Sequence, residues 1–165
     1  MPELSLILMR HGEASFDAPS DHARELTYHG VRSSREAGIQ LSTLLQKSCC
    51  AIVSDAMRAM GTAAQVLTNF GASIVHYEPQ LYLVSRFDEL AEVISRHSKA
   101  NDHVILVIGH NPFLSEAATI LSGQPYAFSP ADFAVLSIDS ENWATGLSTT
   151  GCWSPKIALP RNPQA

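Results

Sequence analysis

The chain has 165 residues, 45% of them hydrophobic and 16% charged, which suits one packed domain over 1–165 and excludes a disordered tail, a collagen-like repeat or a highly charged scaffold. Eleven Lys and Arg against 16 Asp and Glu leave a net charge of −5. That balance argues against non-specific binding to DNA or RNA, which needs a basic face to replace counterions.

Taken in chain order, the first apolar run, Leu4 to Met9, is too short for a signal-peptide core and has no basic residue before it. No stretch approaches the roughly 20 apolar residues needed to span a bilayer. A cytoplasmic location, away from membranes, is the expectation. Leu6–Met9, Ala51–Val53 and Val104–Ile108 lack polar alternation, as expected of strands buried on both faces. Between them lie helical periods. Thr27 is placed to cap a helix with an apolar face of Ala37, Leu41, Leu44 and Leu45. Asp55 is placed to open one carrying Met57, Met60, Ala64 and Leu67. Ser85 with Asp88 resembles a capping box ahead of Leu90, Ala91 and Ile94, and Asn111-Pro112 is a helix start.

Phe133 to Ile138 reads as a further strand, followed by a turn at Asp139–Asn142 and a last strand near Trp143. From about Pro155 the proline-rich tail reads as irregular. Alternating strands and helices imply an α/β domain with a mainly parallel sheet. Cys49 and Cys50 are adjacent and Cys152 stands apart, so neither a disulfide framework nor a Cys-x-x-Cys zinc pair is present. All three read as packing thiols, and no structural metal is expected.

The best three strands each end in residues suited to an anion: Arg10-His11-Gly12, then Ser54-Asp55 with Arg58 one turn on, then Gly109-His110-Asn111-Pro112. In open α/β sheets ligands bind outside the carboxyl ends of the strands. Arginine stays charged and grips phosphate oxygens in a fork, and neutral imidazole is a nucleophile toward phosphorus once its other nitrogen is held. A second histidine can donate to the transferring group. Singly, each segment has an ordinary reading as a solvated loop, a turn or a helix-surface charge. Their joint appearance at three strand ends is what points to a phosphoryl site.

Leu8-Met9-Arg10-His11-Gly12-Glu13-Ala14 resembles the Arg-His-Gly signature of the histidine phosphatase superfamily, also called phosphoglycerate mutase-like. Ser54 through Arg58 to Thr62-Ala63 resembles that family's second motif, and Gly109-His110-Asn111-Pro112 its third. The motifs keep the family's order over about residues 4 to 122. Arg24-Glu25-Leu26-Thr27-Tyr28-His29-Gly30, with the short length, resembles the SixA-type phosphohistidine phosphatases within the superfamily.

The resemblance implies a three-layer α/β/α fold with a mainly parallel central sheet. It makes His11 the nucleophile that becomes phosphorylated, with Arg10 and Arg58 holding the phosphoryl oxygens and His110 completing the pocket. Arg24 is the further substrate-binding residue. It also implies a metal-independent, cofactor-free phosphatase whose partner is a phosphohistidine-bearing protein, such as a phosphorelay or phosphotransfer protein. Larger members carry a middle-region glutamate that protonates an alcohol leaving group, and Tyr77–Ser85 shows no match to it. Glu78 reads as a strand end, and Asp88 and Glu89 as a helix first turn. A phosphorylated imidazole leaves more easily than an alkoxide, so such a site suits phosphohistidine.

Two other functions stay open. One is a phosphatase of small phosphate esters, which would need an acid such as Asp17 or Asp21 in the loop after the signature. The other is a module that binds phosphorylated partners without turnover. His22, His29, His76, His97 and His103 read as surface or packing residues, and Trp143 and Trp153 as core or edge packing. No aromatic platform beside basic residues favours single-stranded nucleic acid.

Overall fold

A computed structural model describes residues 1–158. The chain runs β1 (Glu3–Arg10), α1 (Tyr28–Leu44), β2 (Cys49–Ser54), α2 (Met57–Val66), β3 (Ala72–Glu78), α3 (Gln80–Leu83) and α4 (Phe87–His97). It continues through β4 (Val104–Gly109), α5 (Phe113–Ser122), β5 (Phe133–Asp139), α6 (Trp143–Ser148) and β6 (Ser154–Ala158).

The six strands form one sheet in the order β3-β2-β4-β1-β5-β6. β1 pairs parallel with β4 in the register Arg10↔Gly109, β2 pairs parallel with β4 and β3, and only β5 runs against its neighbours β1 and β6. Alternate side chains of the unbroken apolar strands feed two cores. Leu4, Leu6, Leu8, Ile52, Ile105 and Val107 pack under α4, α5 and α6. Ile7, Met9, Val53, Leu106 and Ile108 pack under α1 and α2. The result is the expected α/β/α sandwich with a mainly parallel sheet.

Local chemistry explains most element boundaries. Thr27 Oγ1 accepts from the Gly30 N–H at 3.0 Å and caps α1, whose Ala37 and Leu41 are buried as expected. Gly38 is where α1 meets α2, and a Cβ there would lie 2.5 Å from the Val66 carbonyl oxygen, so only glycine permits the approach. Asn111 Oδ1 accepts from the Ser115 N–H and hydroxyl at the start of α5, and Gly123 at φ 71° ends that helix in the left-handed conformation.

Several expectations are corrected. Asp55 does not cap α2, because its carboxylate is paired with His22; the buried face is Arg58, Ala59, Thr62, Ala63 and Val66, and Met57 points outward. Ser85 is not a cap, since α4 starts without a side-chain cap bond. Trp143 opens helix α6 under the Asn142 cap, which accepts from the Thr145 N–H, rather than sitting in a strand. It stacks on Trp153 at 6.1 Å, and both rings are buried.

Pro155, expected in an irregular tail, lies in β6. That strand is at the sheet edge, where a residue without an N–H is tolerated, and it pairs with β5 beside a register shift. The remainder of the expected tail lies outside the described residues. No helix among those described is long and apolar enough to cross a membrane.

Candidate active site

The sheet places the three predicted segments side by side, because β2, β4 and β1 are neighbours and parallel. His11 extends β1 beyond its last pair. Its N–H donates to the Gly109 carbonyl at 3.0 Å, and its own carbonyl accepts from the Ala131 N–H at 3.1 Å. Ala131 has φ 66°, an unusual conformation for an alanine, so some backbone strain is stored beside His11. Gly12 is needed for packing: a Cβ there would lie 2.6 Å from Ser34 Oγ and 2.9 Å from the Gly30 carbonyl of α1. Its N–H donates to Thr62 Oγ1 at 2.9 Å, and that hydroxyl donates to the Arg58 carbonyl at 2.7 Å. The second motif is thereby tied to the first.

His11 is 8% exposed and Arg58 6%. His11 Nδ1 lies 2.7 Å from the Gly12 carbonyl, which can only accept, so Nδ1 carries the proton and Nε2 keeps a lone pair. Arg58 Nε donates to that Nε2 at 3.2 Å. The ring of His110 stands 5.2 Å from that of His11. His110 Nε2 is 2.7 Å from Ser54 Oγ, while its buried Nδ1 has no hydrogen-bond partner among the described residues. Arg10 is anchored by Nη1 on the Phe128 carbonyl at 2.9 Å, which Asn111 also contacts. Arg24 folds inward: its Nε and Nη2 donate to the Ser15 and Ala14 carbonyls, and its guanidinium lies 3.9 Å over the Phe16 ring. All five predicted residues therefore meet at one end of the sheet.

The electrostatics favour neutral imidazoles. Burial pushes His11 down to about 4; the Gly12 carbonyl opposes this, and the charges of Arg58, Arg10 and Arg24 add to it. Burial, then His11 and Arg58, push His110 down to about 3.

A stability consequence follows. Below about 6.5 the unfolded chain protonates His11, while the folded chain resists until about 4. The folded-state pKa is depressed, so stability falls as pH drops through that window, by roughly 2–3 kcal/mol from this group. Denaturant unfolding at stepped pH is expected to show a shallower decline for His11→Asn than for the unsubstituted protein. Identical slopes would refute the assignment.

Two residues enter that the sequence did not single out in these roles. Tyr82, on α3, sets its ring edge-on to His110 at 5.4 Å and to His22 at 5.0 Å, and its hydroxyl donates to Asp21. Asp21 Oδ2 accepts from Arg58 Nη2 at 3.0 Å, Oδ1 from Arg24 Nη1 at 3.2 Å, and the Asp21 carbonyl accepts from Arg58 Nη1 at 2.7 Å. The Tyr82 hydroxyl, then Arg24 and Arg58, hold this carboxyl far below the usual carboxylate range against the opposing effect of burial. Tyr82 is 61 residues from Asp21 in sequence, so no local pattern announces the contact.

Of the other acidic candidates, Glu78 and Asp88 are engaged by cationic neighbours. Burial raises Glu78, but bonds from His97, the Gln80 N–H and Arg96 prevail and bring it down to about 2. Asp88 pairs with Arg86 on the surface. Asp17 is exposed, and its N–H is taken by Ser15 Oγ at 3.0 Å.

At the ends of the parallel strands, arginines thus surround a neutral histidine with one fixed tautomer, the arrangement that the resemblance to the histidine phosphatases leads one to expect. The chain is 32% identical over 149 residues to a phosphohistidine phosphatase SixA homolog of Haemophilus influenzae, covering 82% of this chain and 89% of the relative. It is 31% identical over 160 residues to an uncharacterized chloroplastic protein of Arabidopsis thaliana, covering 90% of this chain and 73% of that one. Among solved structures it resembles the protein histidine phosphatase SixA complexed with tungstate, at 25% identity and TM-score 0.76, over 87% of this chain and 91% of that one. No model of a known protein family matches the chain. It belongs to the SixA-type phosphatases of the histidine phosphatase superfamily.

Proposed function

We propose that the chain hydrolyses phosphohistidine on a partner protein through a covalent intermediate on His11, without a metal ion. The observation that carries this is the Nδ1–H bond to the Gly12 carbonyl, which leaves His11 Nε2 nucleophilic beside Arg58. In the first step Nε2 attacks phosphorus, the N–P bond of the substrate breaks, and the departing imidazole nitrogen takes a proton from water. In the second, water attacks the phosphoryl group on Nε2, inorganic phosphate leaves and the lone pair returns.

Arg10, Arg24 and Arg58 supply the positive charge for the transferring group, a role metal ions fill in other phosphoryl-transfer enzymes. His110 Nδ1, lacking another partner among the described residues, is suited to donate to a phosphoryl oxygen once Ser54 takes Nε2 as acceptor. The tungstate held by the SixA structure is a tetrahedral oxyanion, and it supports a phosphoryl-shaped site here.

The substrate assignment rests on the leaving group. Glu78 and Asp88 are engaged elsewhere, and Asp21 is held as a firm anion. An alkoxide would depart without help, whereas imidazole is protonated near neutral pH. A partner of phosphorelay or phosphotransfer type, and a cytoplasmic setting, fit that chemistry.

The test is phosphate release from a phosphohistidine-bearing protein beside a phosphate ester, with chelator present. A preference of about 100-fold for phosphohistidine is expected, with an acid-labile, base-stable label on the enzyme during turnover. Preference for the ester would return the assignment to a small-ester phosphatase. Binding of the phosphorylated partner with no release at all would leave only a recognition module.

A further inference from the structure

The Asp21 carboxylate sits where an incoming anion needs to be. All three nitrogens of the Arg58 guanidinium are engaged: Nε with His11 Nε2, Nη1 with the Asp21 carbonyl, and Nη2 with Asp21 Oδ2. Arg24 Nη1 gives its one side-chain partner, Asp21 Oδ1. The same two arginines are the donors that a phosphoryl group on His11 would recruit, and Arg58 is the one already touching the nucleophilic nitrogen.

We propose that the Asp21 side chain is an internal counter-anion that competes with phosphate for Arg58 and Arg24, and so limits how tightly the site retains its product. This rests on the phosphoryl-site reading above. Three features suit Asp21 to the part. Its side chain is 55% exposed while that of Arg58 is 7% exposed, so the carboxylate swings into water cheaply and the arginine stays in place. The Tyr82 hydroxyl, reaching in from α3, gives it a fixed return position. And a carboxylate and a phosphate dianion on one guanidinium repel each other, so occupancy alternates.

The need for such a device follows from the charge. Three arginines converge on the His11 pocket, and bidentate arginine contacts make strong phosphate sites. Left unopposed, they would hold inorganic phosphate after the second step and slow the next turnover. Asp21 is thus a positioning residue that acts through Arg58 and Arg24, and it governs release rather than bond making.

The experiment measures inhibition by inorganic phosphate and by tungstate, with steady-state kinetics on a phosphohistidine protein, for the unsubstituted protein, Asp21→Asn, Asp21→Glu and Tyr82→Phe. Asparagine keeps the shape and removes the charge, so the phosphate inhibition constant is expected to fall about tenfold. KM is expected to fall with it, while kcat does not rise. Tyr82→Phe moves both constants the same way by a smaller factor, and Asp21→Glu returns them toward the starting values. Thermal midpoints identify any variant that fails to fold, and the remaining variants then decide.

If phosphate inhibits the unsubstituted protein competitively but Asp21→Asn binds it equally or more weakly, the counter-anion idea fails and the phosphoryl site stands. If neither anion binds either protein and no phosphate is released, the phosphoryl site itself is wrong. A large fall in kcat for Asp21→Asn at unchanged phosphate affinity would assign Asp21 to proton delivery and overturn the proposal.

Discussion

Replacing His11 with alanine is expected to abolish turnover of phosphohistidine, lowering kcat/KM by at least about 10⁴-fold. No neighbouring group can inherit the attack. With Ser54 Oγ donating to His110 Nε2, the other ring nitrogen carries the proton and is a donor; Asp21 and Tyr82 are bonded to each other, Asp21 to Arg58 as well, and the guanidiniums stay protonated. The fold should survive, because the backbone of residue 11 is held by the Gly109 and Ala131 partners rather than by its side chain. Truncation removes the bonds of the imidazole to the Gly12 carbonyl and Arg58 Nε, so a lowered melting temperature with a cooperative transition is expected alongside the lost activity. Phosphate release that survives His11→Ala, in a folded protein, would remove the nucleophile from the mechanism altogether.

Arg58→Ala is the second large effect, with kcat expected to fall about 10²–10³-fold. Its Nε is the nearest cationic donor to the nucleophilic nitrogen, at 3.2 Å, and its position comes from the first turn of α2 directly after the β2 strand end. Charge accumulates on the phosphoryl oxygens between attack and departure, so its loss is felt in kcat more than in substrate binding. Arg58→Lys should recover only part of the rate. An ammonium supplies charge but not the planar fork that reaches His11 and the adjacent anion together. Rapid phosphate-release kinetics on both variants check this; a lysine variant as fast as the original would show that geometry is immaterial.

The site was legible where chemistry is written locally. Arg10-His11-Gly12, Ser54 with Arg58, and Gly109-His110 each follow an unbroken apolar strand, and strand direction alone carries them to one end of the sheet. The starts of α1 and α5 were legible for the same reason, since the Thr27 and Asn111 side chains accept from amides three and four residues away. What escaped were contacts made across the fold. Asp21 reads as an ordinary loop acid until Arg58, 37 residues on, and Tyr82, 61 residues on, close around it.

The face of α2 was misread because two polar residues, Arg58 and Thr62, are buried to serve the site, while Met57 is left outside. Hydrophobic period alone puts methionine in and arginine out. Trp143 was misread as a strand residue because a large aromatic suits either element; the Asn142 cap decides it. Pro155 reads as the start of an irregular, proline-rich tail, yet at the sheet edge its missing N–H leaves the pairing with β5 possible.

The strand order has a consequence for assembly. β1 is synthesised first yet lies inside the sheet, between β4 and β5, and its pairs run from Arg10 to Gly109 and from Met9 to Phe133. Closing such distant pairings is slow, because the loop entropy is spent before any contact repays it. During translation the first strand must wait, with its apolar side chains unpaired in the sheet, until about a hundred further residues have left the ribosome. Both halves of the chemistry, His11 and His110, then arrive through that single late pairing. A chain that stops short of β4 therefore lacks both His110 and the strand that seats His11 beside it.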